Sequence, residues 1–152
     1  MKKIMILALL FIGSPLSMAA SLVNDMQPCQ AWIDFVDGKL TSSPSQYDKG
    51  DIEKIRQGLQ VYNQFIQQEI ITPELLKASG GNESQAGDYQ KQVNAYKHSL
   101  VNALENRYPQ KRLFTDYAAA IDACAQKAAP SDQELEQLKI AANLMLKLAT
   151  LD

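Results

Sequence analysis

Two cysteines set the tightest constraint on this chain. Cys29 and Cys124 stand 95 positions apart, and no third cysteine competes for either. In an oxidising compartment only one intramolecular pairing is open to them, and a disulfide holds its two Cα atoms within about 4.4–6.8 Å. Closing a loop of that length contributes roughly 4.5 kcal/mol in the chain-entropy model, a large share of the ~5–15 kcal/mol by which a small domain is stable. A redox couple normally sits close in sequence as Cys-x-x-Cys. This spacing instead predicts a structural disulfide, Cys29 to Cys124.

The N-terminus points to such a compartment. Met1-Lys2-Lys3 is a positive lead-in, Ile4 to Ile12 is an unbroken apolar run, Gly13 and Pro15 interrupt it, and Ser17-Met18-Ala19 offers small residues where a signal peptidase reads. Together these are the parts of a bacterial-style secretory signal peptide. The apolar run is about half the ~20 residues that a membrane span needs. We therefore expect residues 1–19 to be a cleaved leader and 20–152 to be a single helical domain, exported to the periplasm or beyond. No later segment is apolar for long enough to span a bilayer, so the mature chain is expected not to insert in a membrane.

Of the chain's 15 basic side chains, two belong to the leader, which leaves 13 against 17 acids and a formal charge of −4. A mildly acidic chain without a run of Lys or Arg lacks the basic patch that nucleic acid requires. It is equally unsuited to an anionic membrane surface.

Periodicity along the mature chain is helical throughout. Cys29, Trp32, Ile33 and Val36 recur at helical spacing with Phe35 beside them, which predicts a helix from Pro28 to Asp37 with the proline in its first turn. Asp37-Gly38 is read as its end. From Asp48 or Asp51 a longer stripe runs through Ile52, Ile55, Leu59, Tyr62, Phe65, Ile66 and Ile70. Gly58 lies inside that helix at a cost of about 1 kcal/mol relative to alanine, which suggests a close helix contact. Thr72-Pro73-Glu74 has the form of a new helix start, with Thr72 as N-cap. The short helix it begins is expected to end at Ser79-Gly80-Gly81, followed by a loop through Gly87.

A further helix is expected from Asp88 to Arg107, closed by Tyr108-Pro109, and another from Leu113 to Ala128, whose alanines allow close packing. Pro130-Ser131 with Glu134 is a capping box that starts the last helix. Its stripe of Leu135, Leu138, Ala142, Met145 and Ala149 is widened by Leu144, Leu146, Leu148 and Leu151. This excess implies either deep burial or a second apolar face, the latter suited to a homodimer through the C-terminal helix. With no stretch of period two, the fold class is all-α: a small bundle of about five to six helices closed by one disulfide.

Residues that carry chemistry are sparse. His98 is the only histidine and falls on a polar face, with no second His to share a zinc ion. Phosphate-binding loops and nucleophile elbows are absent from the sequence. Asp34 and Asp37 lie one helical turn apart, but acids at that spacing are usually solvated. Asp48, Asp51 and Glu53 lack EF-hand spacing. No catalytic residue, metal or cofactor is expected.

The helix opened by Asp48 carries amides rather than charges opposite its apolar stripe. Most polar helix faces are simply solvated, but neutral amides lose less than charges when desolvated. Gln57, Gln60, Gln64, Gln67 and Gln68 are therefore the candidate partner-binding face. The function expected of such a chain is non-enzymatic protein binding in the bacterial envelope. It suits an accessory subunit of a secretion- or pilus-type machine, or an immunity or inhibitor protein against a periplasmic toxin. The alternative is a carrier of a small apolar ligand in a cavity between helices.

Overall fold

A computed structural model of the protein describes residues 16–43 and 45–151, with side chains from Leu22 onward; most of the expected leader lies outside them. The described residues form α1 (Leu16–Thr41), α2 (Lys49–Phe65), a π-helical turn (Ile66–Ile71), α3 (Thr72–Ala78), α4 (Glu83–Arg107), α5 (Thr115–Lys127) and α6 (Asp132–Ala149). There is no strand among them, so the all-α bundle is what the chain forms.

Helices α1, α2, α6 and α5 close a ring in that order, each packing on its two neighbours, with α2 against α6 the most extensive contact. Helix α4 lies on the outer side of α1, and α3 joins it to the ring through the π turn. The core inside the ring is built from fully buried side chains of every wall, among them Phe35, Val36, Ile55, Tyr62, Tyr117, Ile121, Met145 and Leu148. The disulfide joins α1 to α5, Cys29 to Cys124, with a Cα–Cα distance of 5.7 Å.

Four expected boundaries are corrected. Helix α1 neither starts at Pro28 nor stops at Asp37-Gly38, because its buried stripe continues both ways, through Val23 and Met26 upstream and Leu40 downstream. That burial outweighs the backbone hydrogen bond that Pro28 removes from the helix interior. Thr72 is no N-cap: its φ of −59° and ψ of −48° are helical, and its N–H donates to the carbonyl of Gln67, five residues back. The wider π turn precedes Pro73 and absorbs the proline, whose ring clashes with the preceding turn in a regular α-helix. The loop expected through Gly87 ends five residues earlier, where the Asn82 side chain accepts from the Gln85 N–H at 3.0 Å and caps α4. Gly80 and Gly81 do end α3 as expected, both in the left-handed region (φ 62° and 85°), with the Gly81 N–H on the Leu76 carbonyl.

Other expectations hold. The capping box of α6 is present, with the Ser131 side chain accepting from the Glu134 backbone N–H and the Glu134 carboxylate accepting from the Ser131 backbone N–H at 3.0 Å; the Ser131 hydroxyl also donates to that carboxylate at 2.6 Å. Gly58 marks a close approach of α2 and α6: a Cβ there would lie 2.6 Å from the Gln137 carbonyl oxygen and 2.8 Å from the Ala141 Cβ.

Two buried tyrosines differ in a testable way. The Tyr62 hydroxyl donates to the Ala128 carbonyl at 3.0 Å and so ties α2 to the end of α5. Tyr117 is completely buried within a ring cluster with Phe35, Tyr108 and Phe114, and its hydroxyl has no hydrogen-bond partner. Burial raises both phenols, that of Tyr62 to about 12. Tyr62→Phe is expected to cost about 1 kcal/mol, whereas Tyr117→Phe removes an unsatisfied buried group and is expected to be neutral or stabilising. Urea melts of the two variants decide; equal losses would mean that the Tyr117 hydroxyl is satisfied in solution.

Candidate partner-binding groove

The Asp48 carboxylate caps α2 by accepting from the Asp51 N–H at 3.0 Å. From that start the helix turns Ile55, Gly58, Leu59 and Tyr62 into the core. This leaves Ile52, Arg56, Gln57, Gln60 and Asn63 on the flank that meets α1. Together with Ile33, Asp34 and Asp37 of α1 they line an open groove of about 970 Å³.

Two ion pairs hold most of the charge along this groove, and Lys49 and Glu53 of α2 add one exposed charge of each sign. Arg56 forms a two-pronged pair with Asp37, Nε to Oδ1 at 2.7 Å and Nη2 to Oδ2 at 3.1 Å. That carboxylate raises the Arg56 pKa further, first through the hydrogen bond and then through its charge. Asp34 takes Lys97 of α4 at 2.8 Å and the Asn63 amide at 3.2 Å, and so joins three helices. The two acids that share a turn of α1 therefore each hold a neighbouring helix, which is a positioning role. Between them, Gln57 and Gln60 present neutral amides.

The predicted amide face does not stay together. Gln57 and Gln60 line the groove, and Gln64 and Gln68 are exposed outside it. Gln67 turns inward. Its Nε2 donates to Thr72 Oγ1 at 2.9 Å and to Gln90 Oε1 at 2.8 Å, and its Oε1 accepts from the buried Gln30 at 3.3 Å. Gln90 passes the chain on to Asn94 at 2.9 Å. A π turn stacks residue i+5 over residue i, which is how Thr72 comes within reach of Gln67. This ladder runs along a second open groove, about 580 Å³, between α3 and α4.

Of the remaining residues, His98 is exposed on α4. Asp51 is buried and pairs with Lys147 of α6 at 2.6 Å, an ion pair that raises the lysine's pKa. No group of three or more His, Cys, Asp or Glu side chains that can hold a metal ion occurs among the described residues, and no helix among them is long and apolar enough to cross a membrane. Sequence periodicity placed the amides, Asn63 among them, but missed Arg56 and the Lys97 that reaches Asp34 from α4. Arg56 lies one helical turn from Gln60 and Lys97 belongs to α4, and the partners that fix them, Asp37 and Asp34, sit on another element. The chain matches no family model, no curated protein and no solved structure.

Proposed function

We propose that the protein is a non-catalytic, exported binding module that holds another envelope protein in the α1/α2 groove. One observation carries the reading. The groove walls pair Asp34 with Lys97 and Asp37 with Arg56, and the exposed Lys49 and Glu53 add one charge of each sign, so a partner that covers the groove meets neutral Gln57 and Gln60 among charges that balance. Buried hydrogen-bonded amides fix register at lower cost than isolated ions. Export rests on the leader read in residues 1–19 and on the disulfide, since such bonds persist in oxidising compartments. Two roles fit: an accessory subunit of a secretion- or pilus-type machine, and an immunity or inhibitor protein against a periplasmic toxin.

The test is a photo-crosslinking amino acid at Gln60, with Asn102 on the outer face of α4 as control, expressed in the envelope of living cells. We expect one discrete heterologous adduct from position 60 and none from 102, with the class of the captured protein distinguishing the two roles. Gln60→Lys should remove copurification of that protein without lowering the melting temperature, because Gln60 is exposed. No adduct at position 60, or capture indifferent to the lysine, would overturn the reading. A small molecule retained in native mass spectrometry instead would favour the carrier.

A further inference from the structure

A third groove, between α5 and α6 and therefore away from α1/α2, differs from the other two in being alanine-lined. Ala118, Ala119, Ala125 and Ala142 form much of its floor, in a volume of about 530 Å³. At its edge stands Leu146, 41% exposed, one of the larger apolar side chains that the fold leaves in solvent. Its charges divide by side. Asp116 and Asp122 belong to the α5 wall and Lys139 to the α6 wall.

The register of the hairpin gives these charges a use. A short connection joins α5 to α6, so the two helices run antiparallel with equal rise per residue. Ala125 is therefore level with Leu135, Asp122 with Lys139, and Asp116 with the turn that carries Leu146. A two-fold axis along the groove keeps every residue at its own level while it exchanges the walls. It sets Asp122 of one copy against Lys139 of the other, twice, and lays each Leu146 over the small side chains near Ala119 of the opposite α5. At home each charged group is held only by an exposed side chain of its own helix, with a 2.7 Å hydrogen bond for Asp122. Lys139 approaches Glu136 of its own helix only to 3.9 Å with both side chains exposed, and Asp122 accepts from Gln126 one turn along.

We propose that the protein forms a two-fold homodimer through this groove. The occupant is a second copy because the surface is complementary to itself, as an isologous interface requires. Two copies of an acidic chain repel at long range, and a contact carrying both signs offsets this locally. The dimer leaves both α1/α2 grooves on its outside, two per assembly, so it stands or falls apart from the binding role above.

Sedimentation equilibrium on the oxidised protein without its leader tests this, using wild type, Asp122→Lys, Lys139→Asp and the double variant. Wild type is expected to show a reversible monomer–dimer equilibrium in the micromolar range. Each single reversal should raise Kd by about 10-fold or more, through two like-charge contacts per dimer. The double variant should return to within about 3-fold of wild type, since the pair is re-formed with its signs exchanged. Leu146→Asp should be monomeric. Thermal melts should stay close to wild type for all four variants, because every altered side chain is exposed. A monomer at every concentration overturns the proposal, as does a dimer whose Kd ignores the single reversals or a double variant no tighter than its parents.

Discussion

Cys29→Ser should lower the stability of the oxidised protein by about 4 kcal/mol, the loss expected when a loop of this length is no longer closed. For a domain of this size that corresponds to a fall of roughly 10–15 °C in Tm. The bridge ties α1, which packs on both α2 and α5, to the C-terminal hairpin. Both cysteines are buried, at 1% and 5% exposure, so the cross-link is sheltered from reductants while the fold is intact. Unfolding in dithiothreitol should reproduce the variant's curve with wild-type protein. An unchanged Tm in Cys29→Ser would show that packing alone holds α1 on α5.

Gly58→Ala is expected to cost about 2 kcal/mol, or roughly 6 °C in Tm, although alanine is the better helix former. Intrinsic propensity favours alanine by about 1 kcal/mol in a helix interior. Against it stand the Gln137 carbonyl oxygen at 2.6 Å and the Ala141 Cβ at 2.8 Å from the added methyl group. A backbone carbonyl in mid-helix cannot rotate aside, so α6 must move off α2. Overpacking of this kind typically costs 1–3 kcal/mol, occasionally more. Alanine at the exposed Gln60, on the same helix, serves as the control and should be neutral or slightly stabilising. A Gly58→Ala protein as stable as wild type would place the two helices farther apart than described here.

The features legible in the sequence are those whose cause is local or forced by a count of one. Two cysteines leave one pairing. Ser131 with Glu134 is a cap whose two members lie three residues apart, and Gly58 is conspicuous because nothing within its own helix calls for glycine. What was missed depends on distant partners or on competition between signals. Pro28 has the form of a helix start, yet Val23 and Met26 find buried positions that carry α1 straight through it. Thr72-Pro73 has the form of a new N-terminus, yet the chain stays helical by widening one turn. The same turn explains the divided amide face. Spacing alone groups Gln67 with Gln60 and Gln64, and only the positions of Gln30 and Gln90, 37 and 23 residues away, turn it inward. The groove is legible in outline through Gln57 and Gln60, but the pairing of its carboxylates depends on Arg56 and Lys97 reaching α1 from two other helices.

The ring order of the helices also determines when the chain can become compact. Helix α2 packs mainly on α6, and α1 is bridged to α5, so each N-terminal helix awaits a partner from the C-terminal hairpin. A polypeptide delivered N-terminus first therefore exposes Ile55, Leu59 and Tyr62 until residues near Met145 and Leu148 arrive. In such a delivery the wall that α2 needs is completed only by the last helix, and the bridge can close only after Cys124, about four-fifths of the way along the chain, has arrived.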